Sequence, residues 1–495
     1  MSTQPPKDNS TARRKRGFPR TDAGNAEFFA HQYKDQLRYD FSRGRWLLWL
    51  KHWWVEDRCQ TVLQMAKEAA RTRYRMRLVA SDDEDEAKKE AEWASGSESR
   101  QRLEAALKIA KSERSLATSG DEWDGDPWLL GVGNGVLNLR TGKPRDGKRS
   151  DLLTMHSDVV FEPRAACPQW LNFLNDIFGG DADLIGYVHR AVGYCLTGDT
   201  KEQVAFLCYG SGANGKSTFL DVLRHVLGDY SYNLPFSTFE LKARSSIPND
   251  VAALPRRRFV TALETNESAP LNEARLKLLT GCDPVSARLL YREFFTFTPT
   301  AKFWLATNHK PEVADDSPGF WRRIRLIPFL QQFVGDRADK DLLSKLKAEA
   351  SGILRWAVDG CLAWQRDGLG LPAVVQAASQ AYREENDHIG EFLDERCEIA
   401  PDASVPAGDL WYEYCQWAAG NQERPLGRKV FSARLEARGF RKQRLGHNRT
   451  WTWLGLRIKA ADTLQPAATV RGDAGGCGRE NPIVVTEDGM SITKQ

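Results

Sequence analysis

The chain contains no C-x-x-C pair. Its nine cysteines, Cys59, Cys167, Cys195, Cys208, Cys282, Cys361, Cys397, Cys415 and Cys477, are scattered and odd in number. That pattern excludes a zinc ribbon or a disulfide scaffold and points to reduced, buried thiols. A metal, if one is used, is then expected to be Mg²⁺ held by oxygen ligands together with a nucleotide. No apolar run approaches the roughly 18 residues of a membrane span, so no membrane partner is expected. The opening MSTQPPKDNSTARRKRGFPR is basic but lacks the apolar stretch of a secretory signal, which makes the cytoplasm the expected compartment. A dominant charge is missing as well: 70 Lys and Arg against 66 Asp and Glu leave +4. That excess identifies no nucleic-acid binder by itself, and local distribution has to decide. An Asn-Lys-x-Asp guanine reader is absent, which excludes an ordinary GTPase, and no internal repeat is visible.

What is present is a globular composition, 41% hydrophobic and 27% charged, over 495 residues, enough for two to four domains. Residues 1–20 read as a disordered basic tail. Residues 21–165 read as an α+β accessory domain. Its aromatic and turn-rich flanks, RWLLWLKHWWVED and GNGVLNLRTGK, enclose a helical insertion over about 60–118, in which the run SDDEDE is a solvated loop or a helix start. In residues 166–346 the apolar runs VAFLCY, RFVTALE, KFWLATN and RIRLIPF alternate with helical segments, the pattern of a parallel α/β sheet. Residues 347–395 carry apolar positions at helical spacing. Residues 396–460 form a compact basic piece, and 461–495 a flexible tail.

The strongest local signal is VAFLCYGSGANGKSTFLDVL. It holds G-x-x-x-x-G-K-S between an apolar strand, Val204–Tyr209, and a helix, Thr218–Leu227, the context a phosphate-binding loop requires. Gly210, Gly212 and Gly215 let backbone N–H groups turn toward phosphates. Ser211, Ala213, Asn214 and Thr218 complete the loop, and the helix N-terminus adds partial positive charge. Lys216 supplies a point cation to the γ-phosphate and Ser217 a hydroxyl to Mg²⁺. Downstream, the strand Phe259–Leu263 ends in Glu264, placed to act on Mg²⁺ and the attacking water, with Glu267 as a secondary acid. The strand Lys302–Ala306 closes on Thr307 and Asn308, whose amide suits a γ-phosphate or lytic water. Arg322 and Arg323 precede a further strand and suit the stabilisation of phosphoryl-transfer charge, in trans if across a subunit boundary.

Together GSGANGKST, FVTALETNE, KLLTGCDPVSARLLYREFFTFTPTAKFWLATNHKP and GFWRRIRLIPF resemble a superfamily 3 helicase, the AAA+-like motor of phage, plasmid and poxvirus-type primase–helicases. TDAGNAEFFAHQYKDQLRYD and DPWLLGVGNGVLNLRTGK resemble the accessory domain found ahead of that motor. The resemblance implies ATP hydrolysis at a subunit interface, a homo-hexameric ring and 3′-to-5′ unwinding. It assigns Gly210, Gly215, Lys216 and Ser217 to Walker A, Glu264 to Walker B, Asn308 to sensor 1 and Arg322 or Arg323 to the finger. The departure is at the acid, where Thr265 follows Glu264 instead of a second carboxylate.

Single-stranded and forked DNA is the expected partner. Val285–Leu290 and Phe294–Thr298 read as a hairpin with Tyr291, Arg292 and Glu293 at its tip. Arg288 and Arg292 suit phosphates, Tyr291 suits a base, and Lys277 lies in the family's pore motif. From Asp409 to Ile458 the pattern is a winged helix-turn-helix, with Arg428, Lys429, Arg434, Arg441, Lys442, Arg444 and Arg449 concentrating positive charge for DNA or, alternatively, a protein partner. Before residue 166 neither a cysteine-ligated zinc finger nor a paired-Asp polymerase motif is found. Any primase or polymerase is then expected as a separate partner. Two functions fit: a replicative helicase, and an ATP-dependent initiator with weak unwinding.

Overall fold

A computed structural model describes residues 18–80, 84–241, 249–264, 270–288, 293–315, 317–421, 425–447 and 449–459. The chain divides into two compact units, Met1–Asn386 and Asp387–Gln495.

The first unit opens with a helix, Asp22–Tyr33, capped by the Thr21 hydroxyl, which accepts from the Gly24 amide. The mixed sheet beside it runs Trp53–Glu56, Arg45–Leu50, Leu37–Asp40, Ala117–Thr118. Between its third and fourth strands in chain order come three helices, Thr61–Ala80, Glu84–Gly96 and Arg100–Ala110, the insertion expected from composition. Glu84–Glu86 of the acidic run do open a helix; the preceding Ser81–Asp83 lie outside the described residues. A buried ion pair holds this insertion: Arg73 Nε meets Glu90 at 2.6 Å, and Arg73 also donates to the Phe18 and Pro19 carbonyls. Arg20 bonds Glu90 at 3.0 Å. Phe18–Arg20 are thus clamped onto the accessory domain, where the sequence suggested only a loose tail, because a buried carboxylate needs cationic partners. A second small sheet, Leu129–Val132, Gly135–Asn138 and Lys143–Arg145, follows.

The core of this unit is a five-stranded parallel sheet in the order Ile324–Pro328, Ala205–Tyr209, Lys302–Thr307, Phe259–Leu263, Ser231–Pro235. Its central strands are continuous apolar runs because both faces are covered. Side chains alternate between the two layers: Phe206, Cys208, Trp304 and Ala306 enter one core with the helices Pro168–Ile177, Ala182–Cys195, Lys216–Leu227 and Ala350–Asp367. Ala205, Leu207, Phe303 and Leu305 enter the other, with Leu276 and Leu279 of Glu273–Thr280 and Tyr382 of Ala373–Glu385.

Among the described residues the second unit has three helices, His388–Arg396, Ala407–Gly420 and Arg428–Ala437, and an antiparallel sheet in the order Cys397–Pro406, Thr450–Ile458, Arg441–Leu445. Ile389, Phe392 and Leu393 share its core with Leu410, Tyr414, Trp417, Phe431 and Trp453, so the helix His388–Arg396 belongs with this unit and not with the helices before it. Gly446 turns the two-stranded ribbon at φ +77°. No helix among the described residues is long and apolar enough to cross a membrane.

Candidate functional site

All five parallel strands point the same way, so the residues just past their ends collect at one edge. There the loop Gly210–Gly215 joins the strand Ala205–Tyr209 to the helix Lys216–Leu227. A Cβ on Gly210 would lie 2.1 Å from the Phe329 carbonyl oxygen, and one on Gly215, at φ +86°, 2.7 Å from Ile177. The loop therefore closes only with glycine at both places. Gly212 has open space on its Cβ side. No side chain caps the helix that follows, which leaves its first N–H groups available to an anion.

Lys216 is only 5% exposed. Its ammonium donates to the Gly210 carbonyl at 2.5 Å, to Asn214 Oδ1 at 3.1 Å and to Asn308 Oδ1 at 3.2 Å. Burial draws it below the usual lysine range, and the Cys208 thiol and Glu264 carboxylate oppose that shift. Glu264 stands one residue past Leu263 and Asn308 one past Thr307, on neighbouring strands whose register pairs Leu263 with Ala306. Glu264 Oε2 accepts the Asn308 amide at 2.9 Å. The Lys216–Asn308–Glu264 chain is thereby closed by hydrogen bonds. Thr307 Oγ1, beneath it, is buried without a hydrogen-bond partner among the described residues. Ser211, Gly212, Ala213 and Ser217 face solvent, Thr218 is half-buried, and Asn214 is buried, donating to the Phe329 carbonyl at 3.1 Å.

One clasp escaped sequence reading. After the strand Ile324–Pro328 the chain returns over the loop: Gln332 Nε2 donates to Ser211 Oγ at 2.7 Å, and the Phe333 amide donates to the Ala213 carbonyl at 2.7 Å. FLQQFV has no pattern that announces this contact. Glu267 lies outside the described residues. Among those described, no cluster of three or more His, Cys, Asp or Glu gathers as a metal site. A divalent cation here would rest on Ser217, Glu264 and the oxygens of its nucleotide.

Arg322 and Arg323 are elsewhere. They precede Ile324, whose register partner is Ala205, the first residue of the strand that ends at Tyr209. Five residues of strand, about 16 Å, separate them from the glycine loop. Arg322 is exposed and donates to Gln203 Oε1 at 3.0 Å; Arg323 donates to the Gly319 carbonyl. Neither belongs to the Lys216 cluster of its own chain.

The nucleic-acid candidates divide similarly. Val285–Arg288 and Phe294–Phe297 form the expected antiparallel hairpin; Tyr291 and Arg292 at its tip lie outside the described residues. Arg288 sits 5.2 Å over the Phe294 ring, which is itself 61% exposed. Lys277 is committed to Asp315 at 2.6 Å. In the second unit Arg428, Lys429, Arg441, Arg444 and Arg449 are exposed and Lys442 is half-buried, while Arg434 is buried and leaves the exposed basic set. The ribbon adds a residue that the charge pattern did not single out: Trp451, 48% exposed, lies under Arg444 at 5.0 Å and Lys442 at 5.8 Å.

The chain matches the family model described as D5 N terminal like over residues 26–179 and one described as a family of unknown function (DUF5906) over residues 208–323. It is 27% identical over 325 residues to a "Putative helicase" of Acanthamoeba polyphaga mimivirus, covering 60% of this chain and 34% of the relative. It is 22% identical to a "Putative helicase" of Frog virus 3 (63% and 41%) and 26% identical to a "Putative primase" of African swine fever virus (70% and 39%). The chain thus spans about a third to two fifths of the length of these relatives. The fold is similar to the apo structure of the NrS-1 C-terminal region, with a TM-score of 0.52, 9% identity, and coverage of 88% of this chain and 99% of that one. With a D5 N terminal like segment in the accessory domain and viral relatives named putative helicases or primases aligning over 60–70% of its length, the chain is similar to D5-like primase–helicases.

Proposed function

We propose that the chain is an ATP-driven DNA helicase of the superfamily 3, AAA+-like type. The observation that carries this reading is the convergence of Lys216, Asn308 and Glu264 beside an uncapped helix N-terminus. Gly210–Thr218 would hold the triphosphate, and Ser217 with Glu264 would hold Mg²⁺. Mg²⁺–ATP, when bound, supplies the phosphoryl-transfer energy. Lys216, now bonded to neutral carbonyls, is positioned to exchange those acceptors for phosphate oxygens, a stronger charge-assisted interaction. Glu264 orients a water and takes up its proton. Asn308 fixes Glu264 through its backbone and Lys216 through its side chain, so its role is to hold the two in register.

The distance of Arg322 and Arg323 from the glycine loop of their own chain supports a role for them on a neighbour's nucleotide, in a closed ring such as a homo-hexamer. Translocation from 3′ to 5′ follows from the family resemblance. The Val285–Phe297 hairpin, with Arg288, Tyr291, Arg292 and Lys277, would track single-stranded DNA. The second unit would act as a winged helix, Arg428 and Lys429 entering a groove and Arg441, Lys442, Arg444 and Arg449 meeting phosphate.

Unwinding of a forked duplex by wild type and by Lys216→Ala tests the reading. ATP-dependent strand separation is expected for the wild type, and a loss on the order of 10²- to 10³-fold for the variant. The exposed basic ribbon of the second unit also favours an initiator that binds an origin and uses ATP to reset assembly. ATP hydrolysis with tight duplex binding and no strand separation would select that reading.

A further inference from the structure

The accessory domain has a groove of about 670 Å³, separate from the Lys216 cluster, lined by Asp35, Arg38, Trp49, Lys51, Gly147, Lys148 and Arg149. Four basic side chains there face one carboxylate, Asp35, whose contact with Arg149 is long at 3.9 Å. Asp151 is nearby in sequence but already engaged by Arg145, at 2.7 and 2.8 Å. The walls are tied together. The Trp54 indole donates to the Arg149 carbonyl at 3.2 Å, and the Gly147 amide donates to His52 Nδ1 at 3.1 Å. Arg38 lies 5.0 Å over Trp54, whose ring is 5.3 Å from that of Trp49. Burial, and then repulsion from Arg149, hold Arg38 below the usual arginine range, with Asp35 opposing. Like charges kept together around a rigid open groove lower their energy when an anion enters.

We propose that this groove is a second binding site for single-stranded nucleic acid, in which Arg38, Lys51, Lys148 and Arg149 hold phosphates and Trp49 stacks on a base. Cations along a groove with an indole in its wall are what a strand without sequence preference needs: backbone attraction and a π-face that accepts any base. A free phosphate would use the cations but leave Trp49 without a role. This site rests on the helicase reading only in its choice of nucleic acid, and it does not require the Lys216 cluster to be active.

The test uses the full-length protein and a fluorescein-labelled oligo-dT. Lys51→Ala/Lys148→Ala changes two side chains at the groove's exposed edge. Loss of two phosphate contacts is expected to reduce the slope of log affinity against log salt by about 1.4. Separately, an oligonucleotide carrying 5-iododeoxyuridine should photocrosslink within 35–51 or 147–152 in the wild type, and several-fold less in the variant. An unchanged slope together with crosslinks confined to other segments would overturn the proposal. So would equal displacement by polyglutamate without any crosslink in these segments, which would mark the groove as a site for acidic protein. ATP hydrolysis without DNA is measured in parallel. Its absence in the wild type removes the motor reading and leaves the slope and crosslinks to judge the groove.

Discussion

The two edges of the parallel sheet solve opposite electrostatic problems. At the edge where the strands end, Lys216 is bonded to Asn308, which is bonded to Glu264, and solvent-facing loop positions lie alongside. A cation, a carboxylate and free helix N–H groups stand there within one chain, ready for a charged ligand. At the edge where the strands begin, two cations are buried, with the Asp199, Asp124 and Asp126 carboxylates close enough to act on them. Lys302 and Arg258, each about 2% exposed or less, bond only carbonyls: Lys302 those of Asp199 and Thr300 at 3.2 and 3.1 Å, Arg258 those of Leu196 and Leu129 at 2.6 and 2.8 Å. Arg322 and Arg323 stand outside them, beside the strand Ile324–Pro328. The same central strand begins at Lys302 and ends at Thr307 next to Asn308. One edge thus gathers a cation, a carboxylate and unpaired helix N–H groups within one chain, whereas exposed Arg322 and half-buried Arg323 of the other lie a strand's length from that cluster.

The largest expected effect comes from breaking that division. Arg322→Ala/Arg323→Ala should lower ATP turnover by about 10³-fold or more, although neither residue touches its own glycine loop. Mixing this variant with Lys216→Ala should restore part of the activity, because a site made from the intact loop of one chain and the intact arginines of another can form. Steady-state hydrolysis across a mixing series checks this. No recovery at any ratio would remove the trans role of the arginines.

A smaller effect is expected within the complete edge. Asn308→Ala keeps the backbone N–H that Glu264 accepts but removes the Oδ1 acceptor of Lys216. Turnover should fall by about 10²-fold, with nucleotide affinity changed less, as read from kcat and KM separately. A fall in affinity alone would make Asn308 part of ground-state binding and not of the reacting arrangement.

How much of this could be read from sequence follows from the range of the forces involved. The glycine loop, the four apolar strands and the acid and amide at their tips are local patterns, and the structure places Lys216, Glu264 and Asn308 together. Strand Ser231–Pro235 gave no such pattern. It is an edge strand, partly exposed and ended by proline, so burial on both faces never shaped it. Strand Cys397–Pro406, with Pro401 inside it, is hidden for the same reason. The Gln332–Ser211 clasp, the Lys277–Asp315 pair and the burial of Arg434 depend on partners far along the chain or on a fold-level burial that a single sequence does not display.

The smallest effect probes the buried cation at the opposite edge. Burial pushes the Lys302 ammonium down to about 7 from an ordinary value of 10.5, although carbonyls surround it. Below pH 7 the lysine is charged in both folded and unfolded chains, and the full cost of burying it is present. Between about 7 and 10.5 the folded chain has released the proton while the unfolded chain keeps it, so this residue's contribution to stability rises with pH, by at most about 1.4 kcal/mol per pH unit. Buried Cys195, raised to about 11, works in the other direction above its ordinary 9, so the wild type alone gives a mixed profile. Lys302→Met keeps the volume and removes one titration. The melting temperature of wild type relative to this variant, measured at pH 6.5 and 8.5, isolates it. The wild type should gain on the variant as pH rises. A constant difference would mean that the carbonyls of Thr197, Asp199 and Thr300 keep the ammonium charged, and that the buried edge of the sheet carries a permanent cation.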